Sequence, residues 1–509
     1  MLRLLFLVVF VLVKSNANGC VPRSFGNDGI VCVCNATYCD NFLENVKSPG
    51  GGKVNWYVTN KEGQRLSLKT AQFDTEEKSS HNITIDIDSS IKYQRIIGFG
   101  GAMTDSSGMN IMNLSPGTQQ KLLESYFGNS GAKFTVVRIP IGGTDFSTRI
   151  YSYDDYDDDA SLEHFALAEE DYKYKIPLLL EAMKLEPDLK FIASTWSAPA
   201  WMKTVDSLTG NFGLLKMEYF QVYADYLVKF LDEYKAKGIK VAAITTGNEP
   251  STAFSVKILL NKMGWTPDSL ATWIVENLEP TLTKSDHNDT LILAPDDQTP
   301  LVQSFMEQMF SNEKARQYVA GIATHWYNDA NLVDAVFTSL EEAFPDKFLL
   351  MTEASIGVYE TEKVVMGSWK RAETYITSII QYLSHRYAGW IEWNIALDTI
   401  GGPTWSRNFL DTSILVNADA DEFYKQPMYY ALAHVSRFVV RDSYRISMNI
   451  HSDDDPIQGL AFTTPSSETV VLLYNRDVVA HKVVLRDTEK HNLSIQLSPK
   501  SINTLIYKL

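Results

Sequence analysis

The stretch VAAITTGNEP, residues 241–250, runs from an apolar segment of β-type residues straight into an exit that carries an amide, a carboxylate and a proline. A strand that stops abruptly at Asn248 and Glu249 presents polar chemistry at its C-terminal end, where core would otherwise continue. The same plan recurs on both sides of it. Short apolar runs end at Ile97, Arg138, Ser194, Thr246, Ala294, Thr324, Met351 and Trp393, each with a polar or glycine-rich exit and then helical spacing. In 217–237, Phe220, Tyr223, Ala224, Leu227, Phe230, Leu231 and Tyr234 repeat at three- and four-residue intervals, and Gly238 is a natural stop. Thr266-Pro267-Asp268 opens another helix, with threonine as the cap and proline in the first turn. Eight strands alternating with helices predict an α/β protein built on a (β/α)₈ TIM barrel, whose chemistry lies at the carboxyl ends of the strands. An open, doubly wound sheet is the alternative.

The flanks read differently. Residues 54–91 and 457–509 hold β-type stretches between turn residues, among them the alternating Thr84-Ile85-Asp86-Ile87-Asp88. They predict an accessory β-sandwich assembled from both chain ends. Residues 1–17 read as a cleaved secretory signal, with Arg3 near the start, a short apolar run and the small-residue site Ser15-Asn16-Ala17. Just behind it come the four cysteines, Cys20, Cys32, Cys34 and Cys39, which suit two disulfides in an oxidising compartment. Zinc is disfavoured, because paired C-x-x-C spacing and nearby histidines are missing. Sequons at Asn35, Asn82, Asn288 and Asn492 fit the same route as glycosylation sites. A net charge of −16 leaves no basic patch for a phosphate backbone and excludes nucleic acid as a partner.

The strand exits supply two carboxylates, Glu249 after the fourth run and Glu353 after the seventh. A lone glutamate at a strand end is more often a helix cap. Two of them, one beside an asparagine, point instead to glycoside cleavage, where one carboxyl protonates the leaving oxygen and the other attacks the anomeric carbon. Asn248 suits a sugar 2-hydroxyl, a contact that strengthens as oxocarbenium character develops. Asp145, Trp196, His325, Tyr327, Trp393 and Asn408 stand at other exits; aromatic faces pack on pyranose C–H surfaces, and Asp and Asn fix hydroxyls. Arg138 is a cation where core is expected, so it should pair with a carboxylate, Glu353 being a candidate. The exit GFGGAMTD, residues 98–105, has Met103 where a dinucleotide loop needs its third glycine, and GGGK at 50–53 lacks the spacing of a phosphate loop. The acidic YDDYDDDA reads as a solvated loop rather than a calcium site. No metal or cofactor is called for.

With NEP at 248–250 and TEAS at 352–355, the chain resembles the lysosomal acid β-glucosidase, or glucosylceramidase, family of retaining glycosidases. The likeness runs nearly end to end, through SFGNDGIVCVCNATYCD (24–40), RIYSYDD (149–155), HWY (325–327), GGPTWSRNF (401–409) and FYKQPMYYALAHVSRF (423–438). It implies hydrolysis of glucosylceramide in membranes to glucose and ceramide, without cofactor, in the lysosomal lumen. An anionic lipid surface and a saposin-like activator are the implied partners. Glu249 would be the acid/base and Glu353 the nucleophile. Asp145, Trp196, Asn248, Trp393 and Asn408 would line the glucose site with Tyr327, and Arg138 and His325 would support it. The resemblance also implies the disulfides Cys20–Cys32 and Cys34–Cys39 and a small disulfide-containing β-sheet from 20–45 and 395–427. The sandwich then takes 46–93 and 443–509, and the barrel 94–394 and 428–442. Gly247 stands where an acidic residue is expected, and Ser355 where cysteine is frequent. The loops 205–215 and 253–265 also depart from the pattern. Phe254, Ile258, Leu259, Leu260, Met263 and Trp265 there read either as an apolar rim facing lipid or as a lid packed on the barrel.

Overall fold

The computed structural model describes residues 19–42, 47–74, 83–329, 332–452, 454–487 and 492–509. The expected leader, 1–17, and the sequon residue Asn82 lie outside these. Eight parallel strands close into a barrel: β1 Gly98–Ala102, β2 Val136–Ile141, β3 Lys190–Thr195, β4 Val241–Thr245, β5 Leu291–Gln298, β6 Val319–His325, β7 Phe348–Glu353 and β8 Tyr387–Asn394. The TIM barrel is therefore the fold, and the open-sheet alternative falls.

Three strand ends differ from the sequence reading by three residues or more, β2 running on from Arg138 to Ile141. The apolar run ending at Ile97 is not the first barrel strand: residues up to Arg95 belong to the sandwich strand Ile83–Arg95, and β1 lies on the glycines that follow. Crowding explains it. A Cβ on Gly100 would sit 1.7 Å from the Val136 carbonyl oxygen, and one on Gly389 2.1 Å from that of Gly98. At this seam the barrel closes only without side chains. β5, in turn, runs past Ala294 to Gln298 through a bulge between Pro295 and Asp297.

Inside the barrel the side chains stack in layers. Val136, Ile192, Ala243, Leu293, Ala323, Leu350 and Ile391, one from each of β2 to β8, form an apolar floor. A strand repeats every second residue, so the next inward layer is Arg138, Ser194, Thr245, His325, Thr352 and Trp393, all buried. The polar site thus rests on a dry plug. Outside, the helix Phe220–Ala236 buries the apolar positions named above, and Gly238 ends it at φ +86. Thr266 caps Pro267–Trp273 by accepting from the Ser269 backbone N–H, with Ser269 bonding back.

The sandwich joins both chain ends. Lys53–Asn60 pairs with Ser501–Tyr507, and Ile83–Arg95 with Tyr444–His451, in one nine-stranded sheet. A third, five-stranded sheet takes Pro22–Arg23, Val31–Asn35, Glu422–Lys425, Ile414–Asn417 and Leu397–Asp398. It carries the disulfides Cys20–Cys32 and Cys34–Cys39. Val31 and Val33 from this sheet pack in one cluster with Phe146, Trp196 and Trp393, so the small sheet buttresses the barrel mouth. Among the described residues no helix is long and apolar enough to cross a membrane.

Candidate active site

β4 ends in an unusual backbone. Glu249 adopts left-handed φ +45, ψ +60, a conformation that a glutamate holds only when its surroundings impose it. Here the Asn248 N–H donates to the Thr195 carbonyl at 2.7 Å and the Glu249 N–H to the Asp296 carbonyl at 2.9 Å, fixing the turn against β3 and β5. Across the barrel, β7 ends on Glu353. An oxygen of Glu249 and one of Glu353 lie within 4.8 Å of each other.

Asp145, Trp196, Asn248, Glu249, Tyr327, Glu353, Trp393 and Asn408 all line one cavity of about 560 Å³. Arg138 and His325, both fully buried, lie beneath it. Every site residue proposed from the strand exits is therefore brought to one place. The sequons are not: Asn288 is exposed, and Asn35 and Asn492 are half-buried at the surface elsewhere.

Arg138 is the hub. Its guanidinium donates to Glu353, to Asp296 Oδ2 and Asn248 Oδ1 at 2.8 Å each, and to Ser194 Oγ at 3.2 Å. It also lies 4.9 and 5.4 Å from the ring centres of Trp196 and Trp393, which stack on each other at 4.9 Å. Burial opposes its charge, but Asp296 and Glu353 hold it more firmly protonated than a free guanidinium. Tyr327 donates its hydroxyl to Glu353 Oε1 at 2.9 Å. Burial pushes the Glu353 carboxyl up and Glu249 adds to this, against the downward pull of His325 and Arg138.

His325 bridges Glu249 Oε1 at 2.8 Å and Asp296 Oδ1 at 3.1 Å. Burial alone would lower its pKa; Glu353 and Asp296 raise it to about 10, so it is an imidazolium donating from both nitrogens. Glu249, His325 and Glu353 also offer three ligand atoms within 4.8 Å, with both His325 ring nitrogens already engaged by the Glu249 and Asp296 carboxylates. Asp145 accepts from the Asn408 amide at 3.0 Å, and its carboxyl is pushed up to about 7, chiefly by burial.

Two residues at the centre escape a reading of the sequence. Asp296 accepts from Arg138, from His325, from Ser194 at 2.8 Å and from Thr352 at 2.6 Å. Gln298 donates to Glu249 Oε1 at 2.6 Å. Pro295-Asp296-Asp297 reads as turn chemistry, whereas the bulge keeps it in the strand and aims Asp296 inward. Burial would raise the Asp296 carboxyl; Arg138 and His325 instead hold it far below the ordinary range. Asp296→Asn leaves two buried cations short of a counter-charge, and unfolding in denaturant is expected to show a loss of about 3–5 kcal/mol. A variant as stable as the parent would contradict this.

The apolar residues of 253–265 divide. Phe254, Ile258 and Leu259 are exposed, the last two lining the cavity, Leu260 is partly buried, and Met263 and Trp265 are core, with Trp265 stacked 5.1 Å from Trp273. Exposed positions and positions packed on the barrel are thus both found in this loop, on different residues.

Residues 96–439 match the family model described as the glycosyl hydrolase family 30 TIM-barrel domain, and residues 442–505 match the corresponding β-sandwich domain. Lysosomal acid glucosylceramidase of Mus musculus is 36% identical over 499 residues, covering 97% of this chain and 96% of that protein. Putative glucosylceramidase 3 of Caenorhabditis elegans is 37% identical over 506 residues, covering 96% and 95%. Among solved structures, SrfJ from Salmonella typhimurium superposes with a TM-score of 0.83 at 27% identity, covering 90% of this chain and all of that one. A matched barrel, a matched sandwich and full-length relatives agree: the chain belongs to glycosyl hydrolase family 30 and is a glycoside hydrolase.

Proposed function

We propose that the protein is a retaining β-glucosidase that hydrolyses glucosylceramide to glucose and ceramide. One observation carries this reading: the Glu249 and Glu353 oxygens within 4.8 Å of each other over one cavity. Carboxyls about 5–5.5 Å apart serve as acid and nucleophile, while about 6.5–9.5 Å is needed to seat a water between carboxyl and sugar.

In the first step Glu353 attacks the anomeric carbon. The bond from that carbon to the leaving oxygen breaks as Glu249 delivers its proton to that oxygen, leaving a glucosyl ester on Glu353. A water then attacks the same carbon and gives its proton to Glu249, and the ester electrons return to Glu353. The surroundings suit these roles. Arg138 and Tyr327 donate to Glu353 and favour its anion. His325 and Gln298 both donate to Oε1 of Glu249, which leaves Oε2 to carry the proton. Arg138 occupies the Asn248 carbonyl oxygen, so the amide N–H of Asn248 is the part turned to the sugar 2-hydroxyl. Asp145 and Asn408 would take other hydroxyls, with Trp196 and Trp393 against the ring.

The aglycone reading leans on the mouse relative, named as a glucosylceramidase, and on Ile258 and Leu259, exposed where they line the cavity. An apolar rim of this kind suits peripheral contact with an anionic lipid surface and a saposin-like activator. Secretion behind a leader at 1–17, glycans on the sequons and residence in the lysosomal lumen complete the proposal.

The buried carboxyls suit an acidic compartment. Burial pushes Asp145 and Glu392 up to about 7 and Asp297 to about 6. Unfolded, such groups titrate near 4, so between about pH 4 and 7 the native state binds more protons and stability falls as pH rises. The Tm is expected to be about 3 °C or more higher at pH 5 than at pH 7. A Tm that rises with pH across this window would contradict the assignment. Function is tested by glucose release from glucosylceramide in anionic vesicles, with and without a saposin-type activator, from pH 4 to 7.5. Release that peaks at acidic pH is expected; cleavage of aryl β-glucosides with none of the lipid would move the protein to another β-glucoside.

A further inference from the structure

The loops after β3 and β4, residues 205–215 and 253–265, meet beside the cavity, where Leu214 bridges Gly264 and the Phe212 N–H donates to the Ala253 carbonyl at 2.7 Å. Two buried lysines sit between them. Lys203 sends its ammonium to the carbonyls of Ser207 at 2.7 Å, Lys262 at 2.8 Å and Leu208 at 3.2 Å, and to Ser197 Oγ at 2.9 Å. Lys262 sends its own to Asn211 Oδ1 and the Ile258 carbonyl at 2.6 Å each, and to the Ser255 carbonyl at 2.9 Å. All of these acceptors are neutral. Burial, with Lys262 beside it, pulls Lys203 down to about 7.

An ammonium without a counter-charge is costly to bury, and methionine would fill the same space without that cost. What an apolar side chain cannot do is gather several oxygens around one point. In the second loop that gathering turns the Ser255 and Ile258 carbonyls inward and leaves Ile258 and Leu259 exposed where they line the cavity. Ser255, Ile258, Leu259 and Leu260 line the same cavity as Glu249 and Glu353.

We propose that Lys262, seconded by Lys203, is a positioning residue that sets specificity for the aglycone, by holding 255–260 so that its apolar side chains face the group attached to glucose. The inference rests on the reading of the protein as a glycosidase for a lipid-linked sugar. It touches neither Glu249 nor Glu353, so its signature is a split between substrates.

The test compares Lys262→Met with the unaltered protein on glucosylceramide vesicles and on 4-nitrophenyl β-glucoside. Expected is a rise of about tenfold in KM for the lipid, with kcat for the lipid and both constants for the aryl glucoside within about twofold. Equal losses on both substrates, or none on either, overturn the proposal. If the variant does not fold, amide exchange in the unaltered protein decides: slow exchange of the Lys262 and Gly264 N–H groups, bonded across the loops, supports a fixed wall, and exchange as fast as in a free loop overturns it. Should the unaltered protein cleave aryl glucosides but not glucosylceramide, the functional reading fails separately, and octyl β-glucoside replaces the lipid in the same comparison.

Discussion

Glu353→Ala is expected to lower turnover of any β-glucoside by about 10⁵-fold, with the protein still folded and still binding glucose. The size follows from the role. Without the carboxylate no glucosyl ester forms, and the room left by the side chain lies on the α face of the sugar. Azide should therefore restore turnover of an activated aryl glucoside and yield the α-glucosyl azide, since the small anion attacks once from the vacated side. The measurement is the rate with and without azide, together with the anomeric configuration of the adduct. Activity within about tenfold of the parent would remove Glu353 from the chemistry. The contact from Arg138 sharpens the point, because Glu353→Ala also frees one arm of the hub, and loss of binding to glucose would mean that Arg138 had moved.

Glu249→Ala is expected to separate substrates by their leaving groups. Without that proton ceramide would have to depart as an alkoxide, so its release should fall by about 10³-fold or more. 2,4-Dinitrophenolate leaves unaided, so the ester should still form on Glu353 at close to the parental rate and then accumulate, because no base activates water. Azide, which needs no base, should clear the ester and give the β-glucosyl azide. A uniform loss across leaving groups would assign Glu249 to binding. Alanine keeps the Cβ, and the β4–β5 tie from the residue 249 N–H to the Asp296 carbonyl survives the substitution, so φ +45 is retained and the change is confined to the lost carboxyl.

Much of this site was legible because a barrel repeats. β2 carries Arg138, the exits of β4, β6, β7 and β8 carry Asn248, His325, Glu353 and Trp393, and a period of two places an apolar residue beneath several of them. What escaped did so for definite reasons. β1 is a run of glycines whose strand character comes from crowding against β2 and β8, and no propensity announces that. Asp296 and Gln298 follow a proline inside a bulge, where the chain has the composition of a turn. The small sheet is made of strands as short as Pro22–Arg23 and Leu397–Asp398, too brief for alternation to register, and it entered through resemblance alone. Lys203 and Lys262 look in the sequence like solvated loop lysines. Their burial depends on carbonyls contributed by two loops that meet only in the folded barrel.

The central claim is that two carboxyls flank one anomeric carbon closely enough for double displacement. Proton NMR of the first-formed glucose, recorded before mutarotation while the protein cleaves an aryl β-glucoside, tests it most directly. Double displacement requires β-glucose as the initial product. Initial α-glucose would mean a single displacement by water and would contradict the roles given to Glu249 and Glu353.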